Sequence, residues 1–159
     1  MPQLVKGGKY IFGWTWINKD LKVRIPDETY DEYKFNETDK LIILSGSTSS
    51  GGFSIITPKS IISSKLSKNI IRLLGYNEDS NSFKTDKSEI IKQGDRLLSW
   101  TYLDKEKYFI FSINLISALN LNIGDKLLVG RGSGLGPAFI FKGKIYEEAL
   151  KHKDLMEFI

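Results

Sequence analysis

Lys22 and Arg24 alternate with Val23 and Ile25. In an extended strand that alternation sends both cations to one side and both apolar residues to the other. A basic stripe of this kind suits contacts to phosphates. Two Gly/Ser-rich stretches are the second chemical feature: Ser45-Gly-Ser-Thr-Ser-Ser-Gly-Gly52 and Arg131-Gly-Ser-Gly-Leu-Gly136. Glycines let backbone N–H groups converge on an anion, and Arg131 adds a planar fork for a carboxylate or phosphate. Ser45, Gly46, Ser47, Arg131, Gly132, Ser133 and Gly134 are therefore candidate ligands for a small anion or other small molecule. No Gly-Lys-Ser/Thr follows either loop, so neither is a Walker loop. Gly132–Gly136 leads into a predicted strand, not a helix, which rejects a dinucleotide fingerprint.

The chain has no cysteine and a single histidine, His152. Disulfides, thiolate metal sites and a catalytic thiol are excluded, and so is a multi-histidine zinc site. His152 lies between Lys151 and Lys153 and reads as a solvated residue. Glu147 and Glu148 lie at a predicted helix start, where carboxylates favour the dipole. Asp39 and Asp125 sit in turns where Asp bonds nearby backbone. No nucleophile, base and orienting group come together, so the expectation is a protein that is not an enzyme and carries no cofactor or metal.

The elements that position these residues occur twice, 86 residues apart and without a gap. Val5-Lys6-Gly7-Gly8 aligns with Ile91-Lys92-Gln93-Gly94, Trp14–Lys19 with Trp100–Lys105, and Phe35–Leu41 with Leu121–Leu127. Each copy reads strand (Lys9–Ile17, Arg96–Leu103), strand (Leu21–Ile25, Lys107–Phe111), short helix (Asp27–Lys34, Ile113–Asn120), strand (Lys40–Leu44, Lys126–Val129), Gly/Ser loop, and strand (Phe53–Ile56, Ala138–Phe141). A closing helix is predicted after each, over Pro58–Leu74 and Ile145–Phe158. Pro26 and Ser112 occupy matching helix starts, as a pre-set first turn and an N-cap. The organisation expected is residues 1–74, a polar connector over 75–90, and residues 91–159, the two repeats sharing one core. The segment Gly75–Lys87 reads as exposed and mobile. Trp14 and Trp100 are expected at equivalent places in the core or at its rim. Ile61, Ile62, Leu66, Ile70 and Leu73 recur at helical spacing and offer a face for homodimer contact or a wider interaction scaffold.

The 159 residues are 41% hydrophobic and 26% charged, with a net charge of +4. That composition describes a globular protein, and the mild positive balance permits an acidic partner. No apolar run reaches the roughly 18–20 residues of a membrane helix, and the first residues lack the apolar core of a signal peptide. A cytoplasmic protein with no membrane partner is expected.

The stretch from Lys22 to Leu44, with Ile25-Pro26 before a short helix and Thr38-Asp39 before the next strand, resembles the AbrB/MazE/SpoVT superfamily. The second copy keeps Gly124-Asp125 but has Phe111-Ser112 in place of Ile-Pro. About 45 residues of each copy carry the resemblance. It implies an α+β fold, mainly β with short helices: a pseudo-two-fold swapped-hairpin barrel made from two β-β-α-β-β repeats in one chain, a monomeric pseudo-dimer. It also implies a transcriptional regulator that binds double-stranded DNA. The residues it points to are Lys9, Lys19, Lys22 and Arg24 in the first copy, with Lys105 and Lys107 in the second. Asp95, Lys105, Tyr108 and Ile110 stand at the places matching Lys9, Lys19, Lys22 and Arg24, so the basic stripe is confined to one half. Arg24 is expected on an exposed hairpin face.

Overall fold

Apolar residues on successive positions of the strands enter different cores, and this sets the layers of the molecule. A computed structural model describes residues 10–46, 51–64, 68–132 and 135–159. The protein is mainly β with short helices. Its strands are β1 (Ile11–Trp16), β2 (Lys22–Arg24), β3 (Lys40–Ser45), β4 (Gly52–Ile56), β5 (Ile91–Gln93), β6 (Arg96–Tyr102), β7 (Tyr108–Ile110), β8 (Lys126–Gly130) and β9 (Ala138–Ile140). The helices are α1 (Asp27–Glu32), α2 (Pro58–Ile62), α3 (Lys68–Leu74), α4 (Ile113–Ala118) and α5 (Lys144–Leu150), with a 3-10 turn over Phe35–Glu37.

Seven strands form one sheet in the order β1-β8-β9-β4-β3-β6-β5, and β2 pairs with β7 in a separate two-stranded ribbon. On one face, Leu41, Ile43, Ile55, Leu127, Val129 and Phe139 pack with Val23 and Phe109 of the ribbon and Leu115 of α4. On the other face, Trp14 and Leu128 pack with Ala149 of α5, and Ile42, Leu98 and Trp100 pack with Ile61 of α2 and Ile70 and Leu74 of α3. Period-two alternation thus feeds two faces, each covered by different elements.

The strand registers recur at an interval of 86 residues. Trp14 faces Leu128 and Trp100 faces Ile42. Lys22 faces Ile110 and Tyr108 faces Arg24, while Gly52 faces Ile140 and Ala138 faces Ser54. At two places a residue faces the one 86 positions away: Val23 faces Phe109, and Phe53 faces Phe139. The Phe53 and Phe139 rings stack at 5.1 Å and 12°.

Several expectations change. The main sheet is not closed into a barrel: it ends at β1 and β5, and the ribbon lies over one face as a sheet of its own. The single closing helix over Pro58–Leu74 is two helices. The first ends at Ser63, and Ser64 N–H bonds only three residues back, to the carbonyl of Ile61. Of the expected contact face, Ile61 and Ile70 are spent in the core, at 1% and 8% exposure, while Ile62 is exposed and Leu73 partly buried; Leu66 lies outside the described residues. The second closing helix stops at Leu150, well short of Phe158. Beyond it, the chain runs along the edge of β1, where Trp14 N–H donates to Met156 O and Phe158 N–H to Trp14 O, both at 2.8 Å. Gly13 permits that approach, since its φ is +147° and a Cβ there would lie 2.5 Å from Met156 O. The connector is not a free tether: Phe83 stacks on Trp100 at 4.5 Å and Trp100 Nε1–H donates to Thr85 O at 3.1 Å. Trp14 and Trp100 are both buried.

Candidate functional site

The ribbon is built by two strands of three residues each, and its inner side is fixed by Val23 and Phe109, both fully buried. Lys22, Arg24, Tyr108 and Ile110 alternate with them and point away from the core. Phe111 N–H donates to Leu21 O at 2.7 Å and Ile25 N–H to Lys107 O at 2.8 Å, which closes the two ends. Leu21 and Lys107 are matching turn residues with φ of +67° and +74°. Lys19 and Lys105 are exposed in the turns at opposite ends of the ribbon. Lys22 and Arg24 both lie 5.9 Å from the centre of the Tyr108 ring, a favourable placement for a cation over an aromatic face.

Carboxylates interleave with these cations. Asp27, in the first turn of α1, accepts from Arg24 Nη2 at 2.8 Å and from Lys107 Nζ at 2.9 Å. The hydrogen bonds from Arg24, then those from Lys107, hold the Asp27 carboxyl below the usual carboxylate range. Arg24 also donates to the Ile25 carbonyl, and Lys22 Nζ lies 3.7 Å from Asp104 Oδ2. The Arg24 side chain is only 19% exposed. It is therefore not the free exposed arginine expected from strand alternation, because Asp27 three residues on folds back over it. The alternation is visible in sequence, and so is an acidic first turn. That the carboxylate reaches across to Lys107 depends on the pairing of β2 with β7. Tyr108 stands where the first half has Lys22, so it breaks the basic stripe in sequence, yet in the ribbon its ring lies beside both cations. Lys9 lies outside the described residues.

Of the Gly/Ser loops the structure describes Ser45, Gly46, Gly51 and Gly52 in the first and Arg131, Gly132, Leu135 and Gly136 in the second. Arg131 is already occupied by a carboxylate of the same chain: its Nε donates to Glu32 Oε2 at 2.9 Å and its Nη2 to Glu32 Oε1 at 2.5 Å. The pair raises the guanidinium further above its ordinary value, and its centre sits 4.6 Å from the Tyr10 ring. In the other loop, Gly46 N–H donates to Gly52 O at 2.9 Å, and Ser45 Oγ accepts from Leu97 N–H at 2.7 Å. The first bond closes the β3–β4 hairpin and the second ties β3 to β6. A Cβ on Gly136 would collide with the Ile55 carbonyl, so this glycine is required by packing. Gly132 approaches Gly136 O closely for the same kind of reason. Ser47, Ser133 and Gly134 lie outside the described residues.

His152 is exposed at the end of α5, 3.9 Å from Glu148 Oε1. Asp125 Oδ2 accepts from Asn122 N–H at 2.8 Å, a local turn bond as expected. Among the described residues, no group of three or more histidines or carboxylates is placed to hold a metal ion, and no helix is long and apolar enough to cross a membrane. No family model matches the chain, and no curated protein matches it.

Proposed function

We propose that this protein binds duplex DNA through the outward side of the β2–β7 ribbon. The observation that carries the reading is the ribbon itself: a two-stranded antiparallel element with Lys22, Arg24 and Tyr108 directed outward and Lys19 and Lys105 at its two ends. A two-stranded β-ribbon matches the width of the DNA major groove. Lysines at the ribbon ends can reach phosphates on either side, while Arg24 and Tyr108 would face the groove floor once their partners Asp27 and the Ile159 carbonyl are displaced. The registers repeating at 86 residues support two further points: the halves are copies of one swapped-hairpin-type unit, and the approach to DNA is pseudo-two-fold. With Ile110 where the first half has Arg24, the two half-sites would be read unequally. An apolar contact to a thymine methyl is available on the Ile110 side.

In the anion-cradle alternative an anion would have to displace Glu32 from Arg131, just as a phosphate would have to displace Asp27 from Arg24. A salt series tests the DNA reading. Anisotropy of a labelled duplex pool should show binding that weakens steeply between about 50 and about 200 mM salt. Lys22→Ala should reduce the salt slope by about one, and Arg24→Ala should cost about 1–3 kcal/mol with relaxed sequence preference if it touches a base. Absence of binding to any duplex at the lowest salt overturns the proposal.

A further inference from the structure

The correspondence between the two halves breaks down in charge on the outward side of the ribbon. In the first half Arg24 and Lys107 both donate to Asp27 and form a cluster of ions. At the places 86 residues away from Arg24, Asp27 and Lys107 stand Ile110, Ile113 and Leu21. Each ionised group of the cluster is thus matched by an aliphatic side chain. The register sets the two groups apart: Arg24 faces Tyr108 at one end of the ribbon, and Ile110 faces Lys22 at the other. The ribbon therefore has a charged end and an aliphatic end.

Neither isoleucine side chain is spent in a core. Ile110 is 40% exposed and Ile113 55%, and both stand outside the three hydrophobic clusters, whereas Leu21 packs against the main one. Ile113 opens α4. At the matching place Asp27 favours the dipole of α1, while an exposed β-branched aliphatic gives a helix start nothing. The size of the patch limits its partner. Two isoleucines beside a lysine fall far short of the roughly 800 Å² that each side of a stable protein interface buries. They match the scale of one or two methyl groups.

The neighbouring cation says where such methyl groups lie. The Lys22 side chain is 41% exposed and stands directly across the ribbon from Ile110. A duplex whose phosphate meets Lys22 therefore passes over Ile110 as well. The floor of the major groove offers one methyl group, the C5-methyl of thymine. The other base edges there carry donors and acceptors that an isoleucine would strip of water without replacing the bond. We propose that Ile110 and Ile113 read thymine methyl groups, so that the preferred duplex carries thymines under the aliphatic end of the ribbon and its methyl dependence is confined to that side. The proposal rests on the duplex-DNA reading above and gives it a sequence asymmetry.

The test starts from a random-sequence duplex pool retained on the full chain at low salt and sequenced. The most enriched duplex is remade with deoxyuridine for thymidine at one position at a time, which removes a single methyl group and no hydrogen bond. On one side of the centre of the site at least one such change should weaken binding by about fourfold, the burial of one methyl group. Changes on the other side should leave the affinity unaltered. The double variant Ile110→Ala/Ile113→Ala should bind thymine and uracil duplexes alike with the salt slope of the wild type, and Arg24→Ala should keep the methyl dependence. Equal affinity of the wild type for thymine and uracil duplexes overturns the proposal and leaves the DNA reading standing. A methyl dependence of equal size on both sides, or one that survives in the double variant, does the same. No retention of any duplex by the wild type overturns the DNA reading and the proposal with it.

Discussion

One carboxylate, Asp27, holds two of the ribbon's cations, and it therefore competes with any phosphate that would take them. If the ribbon meets DNA, Asp27→Asn should tighten binding by about two- to fivefold at low salt, since exposed pairs of this kind contribute about 1 kcal/mol or less. The same substitution has a signature in stability. The Asp27 carboxyl lies below its ordinary value in the folded protein, so its contribution is present above the unfolded value of about 3.9 and is lost as pH falls through the folded value. Denaturation midpoints of Asp27→Asn should consequently fall less steeply than those of the wild type in the acid range. A second residue-scale contrast lies between Thr101 and Thr15, which occupy matching strand positions. Thr101 Oγ1 donates to Ile110 O at 2.6 Å, whereas the buried Thr15 Oγ1 has no partner. Thr101→Val should destabilise by about 1 kcal/mol, and Thr15→Val should be neutral or stabilising by up to about 1 kcal/mol. Chemical denaturation measures both, and equal effects of the two changes would refute the distinction.

At the scale of elements, local signals were legible where the backbone satisfies itself nearby. Ser112 Oγ accepts from Leu115 N–H at 3.1 Å, as its position before α4 predicts, and β3, β4 and β8 fall within a residue or so of their alternating runs. The closing helices were misread because apolar periodicity continues past the places where the chain changes course. Leu155 is buried like a helical core residue, but its neighbours Met156 and Phe158 bond along the edge of β1. That strand-like addition is a tertiary effect invisible to local pattern. The connector was misread for the opposite reason. Its composition is polar, yet Phe83 stacks on Trp100, whose indole N–H also donates to Thr85 O. Of the candidate site, the cations were legible and their carboxylate partners were not, since Asp27–Lys107 and Glu32–Arg131 pair across the two halves. Phe83→Ala should cost about 2 kcal/mol, less than a fully buried phenylalanine, and should speed amide exchange over residues 76–85. Unchanged exchange there would mean that the connector is held without its anchor.

Across the whole molecule, the 86-residue recurrence of the strand registers matches the spacing visible in sequence, but the sequence does not say which strand pairs with which. The structure pairs β1 with β8, β3 with β6, β2 with β7 and β4 with β9, so each half depends on the other for most of its strand contacts. Among the described residues, the strand pairings within a half are β3–β4, β8–β9 and β5–β6. The backbone between α3 and β5 then acts as a leash that keeps two interlocking pieces at high effective concentration. Severed at Asp79–Ser80, the chain should yield two fragments that are unfolded apart and regain the strand signal of the intact protein when mixed. Their reassembly should show a midpoint that depends on concentration, where the intact chain's does not. Circular dichroism of each fragment alone and of the mixture would decide it, and a fragment folded by itself would contradict this interdependence. Fused to two other proteins, the same fragments would report whether those proteins meet, because joining the halves restores a fold that neither half encodes alone.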